Sequence, residues 1–180
     1  MLCLYVQAPF AVFRTFTTGS FRPTADFITP SAAYGLLLNL AGIEMRAIDP
    51  KQVMTVIQSD LPKVRMALGA VPDEKVDAVI FPLHHTIYQQ LHNYPIGASG
   101  KDHAVNTKGN KYNITPVRRS FLSDIKAYIC IDGNSDLEGK VISGLQGDII
   151  HDYGLPFLGD NNFLLDKIEL VENRKTGLLV

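Results

Sequence analysis

Alternation of apolar and polar residues predicts a β-strand at the start of the chain. Residues 2–10 (LCLYVQAPF) alternate in this way, which is the pattern of a half-buried strand. Apolar runs at 61–70, 76–92 and 114–132, and a last one within 154–171, predict further strands. The sequence therefore predicts enough β-strands to form a sheet.

The most clearly marked helix is predicted at residues 29–42 (TPSAAYGLLLNLAG). Thr29 can cap its first turn, and Pro30 lies at the first helical position, where its missing N–H costs nothing. Leucines cover most of the circumference, so we expect a buried helix. Gly35 lies in the first turns, where Ala would favour the helix by roughly 1 kcal/mol. Either close helix packing or a closely approaching ligand would explain this glycine.

Two further helices are predicted. Residues 135–149 carry apolar side chains at helical spacing, and Ser135 with Glu138 forms a capping box. A shorter helix is predicted at 49–60, beginning with Asp49. Apart from this short helix, the order strand–helix–strand–strand–helix–strand is that of an α+β ferredoxin-like fold, in which both helices cover one face of an antiparallel sheet. The other face is then free for a ligand.

Composition predicts a globular protein with one domain, residues 1–180. The chain is 46% apolar, which is too apolar for a wholly disordered protein. We find neither a membrane-spanning apolar stretch nor a signal-peptide pattern, so we expect a cytoplasmic protein with no membrane contact. Cys3 and Cys130 lie in strand-like runs and are expected to be reduced thiols rather than a disulfide or a metal pair.

Charge is unevenly distributed, although the net charge of the chain is only −1. Residues 101–119 carry a net charge of +4, whereas residues 120–180 carry −5. The basic part overlaps the glycine-containing stretch 93–113, which predicts a long loop or hairpin. A local basic patch suits contact with a polyanion, although a solvated loop can have the same composition.

Arginines and phenylalanines are interleaved after the first strand. Between residues 11 and 28, Arg14 and Arg22 lie among four phenylalanines. Such residues can stack on single-stranded nucleic acid and pair with its phosphates. The phenylalanines can equally pack this segment onto the core, and for them we favour that interpretation.

Three motifs follow one another along the chain. They are an arginine-containing loop with the helix start PSAAYGLL, the arginine-rich strand TPVRRSFLSDIKAYICI, and the glycine-rich segment GLPFLGDNNF before the last strand. Their order and spacing resemble the Cas five family of CRISPR Cascade-type effector complexes. Members of that family are RAMP proteins with an RRM-like ferredoxin fold. The resemblance implies an antiparallel sheet with an inserted β-hairpin, the thumb, at about residues 84–117.

The resemblance also implies a non-catalytic RNA-binding subunit of a ribonucleoprotein complex in antiviral defence. Cas five proteins hold the 5′ handle of the CRISPR RNA and cap the Cascade backbone. They contact the Cas seven subunit and the large Cas eight subunit, and target DNA is reached through the complex. No cofactor and no metal are implied.

The candidate RNA contacts are carried over from the motifs of the family. They are Arg14, Arg22, Ser31, Tyr34, Gly35, Lys101, Lys108, Lys111, Arg118, Arg119, Gly154 and Gly159. Arginine and lysine would bind phosphates in a salt-dependent way. The two glycines of the last motif would either support the site or contact RNA through their backbone.

Two enzymatic functions are alternatives to RNA binding alone. In type I-C systems the family member cleaves precursor CRISPR RNA without a metal, using tyrosine, lysine and histidine. This chain offers His85 and His103, but it lacks the adjacent lysine–histidine pair expected of that branch. A metal-dependent hydrolase needs converging ligands, whereas the adjacent His84 and His85 would point to opposite faces of a strand. We therefore expect no catalytic residue.

Overall fold

The structure is a computed structural model that describes residues 1–17, 21–47, 56–73, 75, 78–92, 114–150 and 154–171. Within these ranges the elements are β1 (Leu2–Ala11), β2 (Phe21–Arg22), α1 (Pro30–Leu40), β3 (Arg65–Asp73), β4 (Ala78–Ile80), β5 (Leu83–His92), β6 (Ile114–Asp132), α2 (Ser135–Gln146) and β7 (Lys167–Leu170). The chain therefore has an α+β fold with a mostly antiparallel sheet.

The described strands form one sheet around β6. The order across the sheet is β4–β3–β6–β1–β7, and each of these neighbours is antiparallel. The first half of β6 pairs antiparallel with β5 and in parallel with β2. Because it serves two sets of neighbours, β6 is 19 residues long. Asp124 has a φ of 57° at the boundary between the halves, where the core-facing position changes from Leu122 to Ile125.

The strands predicted from the sequence are found with shifted boundaries. The first strand and the long strand at 114–132 are confirmed. The strand predicted at 61–70 begins later, at Arg65. The run at 76–92 divides into β4 and β5 on either side of Pro82, because proline cannot donate a hydrogen bond to a continuous ladder.

Both helices pack against one face of the sheet, as predicted. Alternate residues of β1, such as Leu4 and Val6, are fully buried in the same cluster as Ile129 of β6. Leucines of α1 and Leu137 of α2 complete this cluster. In α1 the buried leucines are Leu36, Leu37, Leu38 and Leu40. The core therefore lies between the helices and the central strands.

The opposite face of the sheet carries Tyr5 of β1 and Tyr128 of β6, whose ring centroids are 5.6 Å apart. Cys3 and Cys130 lie beside them, directly opposite each other across the two strands, with Cα atoms 4.1 Å apart. They are joined by a disulfide, so the expectation of reduced thiols is wrong. The pairing depends on the register of two strands that are distant in sequence, which the sequence pattern did not reveal.

The N-cap of α1 is the predicted one, whereas that of α2 differs. The Ala32 N–H donates to Thr29 Oγ1 over 3.3 Å, as expected for a cap. At α2 the Leu137 N–H donates to Asn134 Oδ1 over 2.9 Å. The cap is therefore Asn134 rather than Ser135, because asparagine accepts this bond as well as serine does and precedes the first helical residue.

The helix predicted at 49–60 is wrong in the part that the structure describes. Arg46 and Ile57 form an antiparallel bridge, and the Ala47 N–H donates to the Val56 carbonyl oxygen over 2.8 Å. Residues 56–58 therefore satisfy their backbone groups across two extended segments rather than within a helix. The rest of that predicted helix, at 49–55, lies outside the described residues.

The predicted thumb at 84–117 overlaps β5 and the beginning of β6. These strands pair from Leu83 opposite Ser123 to His92 opposite Ile114, and residues 93–113 between them lie outside the described ranges. In the described part of the chain, no helix has the length and apolar character needed to cross a bilayer.

Candidate nucleic-acid interface

A cleft of about 490 Å³ lies between β2, the segment after β1 and the turn that precedes β7. Three of the predicted RNA contacts, Arg14, Arg22 and Arg119, line this first cleft. Its other lining residues are Val12, Thr15, Phe16, Thr17, Pro23, Gln89, Asp160, Asn161 and Asn162. The structure therefore brings together arginines from three separate parts of the chain.

A buried anchor positions the segment that carries Arg14. Phe13 is fully buried, and its N–H donates to the hydroxyl of the buried Thr24 over 2.8 Å. Arg14 and Thr24 also form an antiparallel bridge. Because the adjacent Phe13 points into the core, Arg14 is left exposed.

Arg119 is held inside the protein. Its Nη2 donates to Asp160 Oδ2 over 2.6 Å, and its Nη1 donates to Gln89 Oε1 over 3.1 Å. The Arg119 and Asp160 side chains are only 10% and 12% exposed. Arg119 therefore joins β6 to the turn after α2, which is a positioning role that the sequence did not indicate.

The carboxyl group of Asp160 is stabilised in its ionised form. Burial raises the pKa of Asp160, but hydrogen bonds from the Asn162 N–H and the Arg119 guanidinium lower it more, and the charges of Arg119 and Arg14 add to this. The net pKa of Asp160 lies below its ordinary value of 3.8. Asp160 is therefore an acceptor that remains bound to Arg119 at neutral pH.

Arg14 and Arg22 differ from Arg119 in forming no salt bridge with a carboxylate in the described part of the chain, although the charge of Arg14 also acts on Asp160. Neither forms a salt bridge with any residue that the structure describes. Both side chains are exposed at the cleft, and Arg22 lies next to Arg119 on the paired strands β2 and β6. Their charges are therefore available to an anion that enters the cleft.

Arg118 lies on the other side of β6 and is exposed. Its guanidinium carbon is 4.9 Å from the ring centroid of Phe21. Tyr88, which pairs with Arg118 from the neighbouring strand β5, is also exposed. Phe16 is fully exposed at the first cleft. The core-packing interpretation is therefore confirmed for Phe13 and for the partly buried Phe27, whereas Phe16 and Phe21 are exposed.

Three predicted contacts, Ser31, Tyr34 and Gly35, lie in the first turns of α1, and none of them lines the first cleft. The Tyr34 hydroxyl donates to the Pro62 carbonyl oxygen over 2.6 Å, and burial raises the pKa of Tyr34. Tyr34 therefore attaches α1 to the segment before β3. Ser31 is exposed, with its Oγ 3.2 Å from Thr29 Oγ1.

The two glycines of the last motif have different environments. Gly159 has a φ of +79°, and a Cβ there would lie 1.6 Å from the Val12 carbonyl oxygen. Gly159 therefore supports the first cleft by letting its turn approach the end of β1. Gly154 has a φ of +92° but open space around it, and it is exposed. Lys101, Lys108 and Lys111 lie outside the described residues.

Several residues that line the first cleft were not predicted from the sequence. Asp160 and Asn161 directly follow Gly159 in the glycine-rich motif GLPFLGDNNF. The acidic residue next to a turn glycine is the sequence feature that could have indicated them. Gln89 carried no signal, because its contact with Arg119 depends on the register of β5 against β6.

The two adjacent histidines contact different neighbours, as strand alternation predicts. His85 Nε2 is 2.7 Å from Ser123 Oγ, and its ring stacks on Phe121. His84 Nε2 is 3.4 Å from Asp26 Oδ1. Neither histidine lines the first cleft. Within the described ranges, no group of three or more histidine, cysteine or acidic residues is arranged to hold a metal.

Comparison with known proteins gives a family match and a fold match. The sequence profile of the family "CRISPR-associated protein (Cas_Cas5)" matches residues 1–151. Among solved structures, a chain of a "CRISPR RNA-guided surveillance complex" is similar, with a TM-score of 0.57 and 14% sequence identity. The similarity covers 92% of this chain and 59% of the solved chain, so the protein spans little more than half of that neighbour. No curated protein sequence matches the chain.

Proposed function

Because the chain belongs to the CRISPR-associated Cas five family, we propose that it is a non-catalytic subunit of an RNA-guided surveillance complex. In this role it binds the 5′ handle of the CRISPR RNA at the first cleft and caps the backbone of the complex. The order β1–α1–β3–β6–α2–β7, with the strands arranged β3–β6–β1–β7, supports a ferredoxin-like RAMP domain as its framework.

The observation that carries the proposal is the pair of exposed arginines without salt bridges. Arg14 and Arg22 line one cleft, and neither forms a salt bridge with a described carboxylate. Single-stranded RNA presents phosphates at close intervals, and each phosphate contact by arginine releases counterions. The cleft therefore offers two positions at which a phosphate can be bound.

The other lining residues suit the bases and sugars of a single strand. Phe16 is fully exposed and offers a stacking surface, which is worth about 1–3 kcal/mol per base. Thr15 and Thr17 carry hydroxyls, and Asn161 carries an amide, all of which can bond to base edges or 2′-hydroxyls. These groups support RNA binding rather than binding of a free phosphate.

The chemistry of the cleft also supports binding without cleavage. Metal-free RNA cleavage needs a general base and a group that protonates the leaving oxygen. The described residues that line the cleft include no histidine, lysine or tyrosine. The lining carboxylate, Asp160, is bonded to Arg119.

Exposed apolar side chains support contacts with neighbouring subunits. Ile150 is 87% exposed and Leu155 is 65% exposed, on either side of residues 151–153. Phe81 and Leu83 are exposed before and at the start of β5. Such side chains are suited to protein interfaces, and we assign them to contacts with the Cas seven and Cas eight subunits.

The proposal is tested by incubating the purified protein with end-labelled CRISPR repeat RNA. We expect a shifted complex on a native gel and intact RNA on a denaturing gel. A control RNA with a scrambled handle should bind more weakly. Cleavage at the handle boundary that is lost in His85→Ala or His103→Ala would contradict the non-catalytic role. Equal binding of both RNAs would contradict recognition of the handle.

A further inference from the structure

A second cleft, of about 420 Å³, lies between α1, the segment that follows it and the turn that contains Gly159. It is lined by Ala32, Gly35, Leu36, Leu38, Asn39, Ile43, Glu44, Met45, Arg46, Phe157 and Gly159. Phe157 and Gly159 line this cleft, and the next residues of the same turn, from Asp160, line the first cleft. The two clefts therefore share a wall.

Gly35 leaves open space on the α1 wall of this second cleft. A Cβ at Gly35 would meet no atom within 4 Å, so close helix packing does not explain the glycine. Glycine costs a helix about 1 kcal/mol relative to alanine, and no packing contact requires it here. Gly35 is half-buried, and the open space beside its Cα leaves room for a planar group to lie against the α1 backbone.

Asn39 supplies an unused amide in the second cleft. Its side chain forms no hydrogen bond with a described residue, and its Oδ1 is buried. Leaving such a group unpaired costs about 1–3 kcal/mol. Rotation about the Cβ–Cγ bond can present either the oxygen or the NH₂ group. One end of the amide stays buried, so a ligand can bond to the end that faces the cleft through a single donor or acceptor.

The rim of the second cleft is ionised but carries no net charge. Arg46 donates to both carboxylate oxygens of Glu44, over 3.0 and 2.8 Å. This hydrogen bonding outweighs partial burial and lowers the pKa of Glu44 to about 2. The first cleft presents arginine charges, whereas the second presents apolar walls and an amide. This difference favours an uncharged planar group over a phosphate.

We propose that the second cleft binds one nucleobase of the RNA strand whose phosphates lie at Arg14 and Arg22. The base lies against the α1 backbone at Gly35, and its edge pairs with the Asn39 amide. The inference rests on the proposed function, because the same RNA strand occupies both clefts.

The test uses fluorescence anisotropy with the repeat RNA and a series of RNAs that each lack one base of the handle. For the natural protein we expect one abasic position to weaken binding by about 5- to 150-fold, the range expected for one stacked base. Gly35→Leu, which fills the cleft, should weaken binding similarly and remove the sensitivity to that position. Gly139→Leu, at a helical glycine of α2 that also has open space around it but does not line the second cleft, should behave like the natural protein.

Asn39→Leu provides a second variant that is expected to fold. It removes an unpaired amide, so its melting temperature should not fall, yet its sensitivity to the same abasic position should decrease. An abasic profile that is unchanged in both Gly35→Leu and Asn39→Leu would overturn the base site. So would reduced incorporation of Gly35→Leu into the assembled complex with unchanged RNA binding, because the cleft would then hold a protein subunit.

Failure of this inference can be told apart from failure of the proposed function. If Arg14→Ala with Arg22→Ala weakens RNA binding while the second-cleft variants change nothing, the function stands and the base site is wrong. If the natural protein does not bind the repeat RNA, both are wrong.

Discussion

At the scale of single residues, Arg118 and Arg119 show how adjacent arginines acquire different roles. Successive residues of a strand project to opposite faces, so Arg119 is buried against Asp160 while Arg118 is exposed over Phe21. The family resemblance predicts both as RNA contacts. The structure gives Arg119 an internal partner, and it leaves Arg118, with Arg14 and Arg22, exposed to solvent.

Replacing Arg119 should therefore affect stability far more than replacing Arg118. Arg119→Ala leaves the carboxylate of Asp160 buried without its partner, which typically costs about 3–5 kcal/mol. Arg118→Ala removes an exposed contact with Phe21 worth about 0.5–1 kcal/mol. Urea denaturation followed by circular dichroism measures both free energies of unfolding. Equal losses in the two variants would contradict the structural role of Arg119.

Gly159 and Gly154 allow a second comparison at this scale. Both have positive φ, which costs a residue with a Cβ about 1–2 kcal/mol. Only Gly159 also approaches the Val12 backbone, so Gly159→Ala should destabilise the protein much more than Gly154→Ala. Melting temperatures of the two variants provide the measurement. A similar decrease in both would show that the turn does not approach β1 as closely as described.

At the scale of elements, the helices were easier to locate than their exact ends. Apolar periodicity predicted α1 and α2 because each buries one side against the sheet. The first residue of α2 depends on which of two adjacent polar side chains turns back to the helix. Asn134 does so, whereas Ser135 is already helical. The pairing of residues 45–47 with 56–58 was not predicted, because pairing between two short extended segments leaves no local pattern in the sequence.

The cap of α2 can be tested by two neighbouring substitutions. Asn134→Ala removes the acceptor for the Leu137 N–H and should destabilise the protein by about 1 kcal/mol. Ser135→Ala should have a smaller effect, because Ser135 is not the cap. Chemical denaturation of both variants distinguishes the two. A larger loss of stability in Ser135→Ala than in Asn134→Ala would support the capping box predicted from the sequence instead.

At the scale of the whole molecule, the order of elements could be predicted from the sequence, whereas the contacts between distant segments could not. The alternation of strands and helices indicated a sheet covered by helices on one face. The disulfide between Cys3 and Cys130 and the pair Arg119–Asp160 both depend on strand register and loop position. The second cleft also arises from tertiary structure, because α1 and the Gly159 turn are far apart in the chain.

The central claim is that Arg14 and Arg22 bind phosphates of the RNA handle, and the salt dependence of repeat RNA binding tests it most directly. Each phosphate contact with single-stranded RNA contributes a slope of about −0.7 in log K against log salt concentration. Arg14→Ala with Arg22→Ala should therefore weaken binding and reduce the magnitude of the slope by roughly 1.4. Arg65→Ala, which removes an exposed arginine paired with Asp132, should leave the slope unchanged. Equal affinity and slope in the double variant and the natural protein would contradict the account.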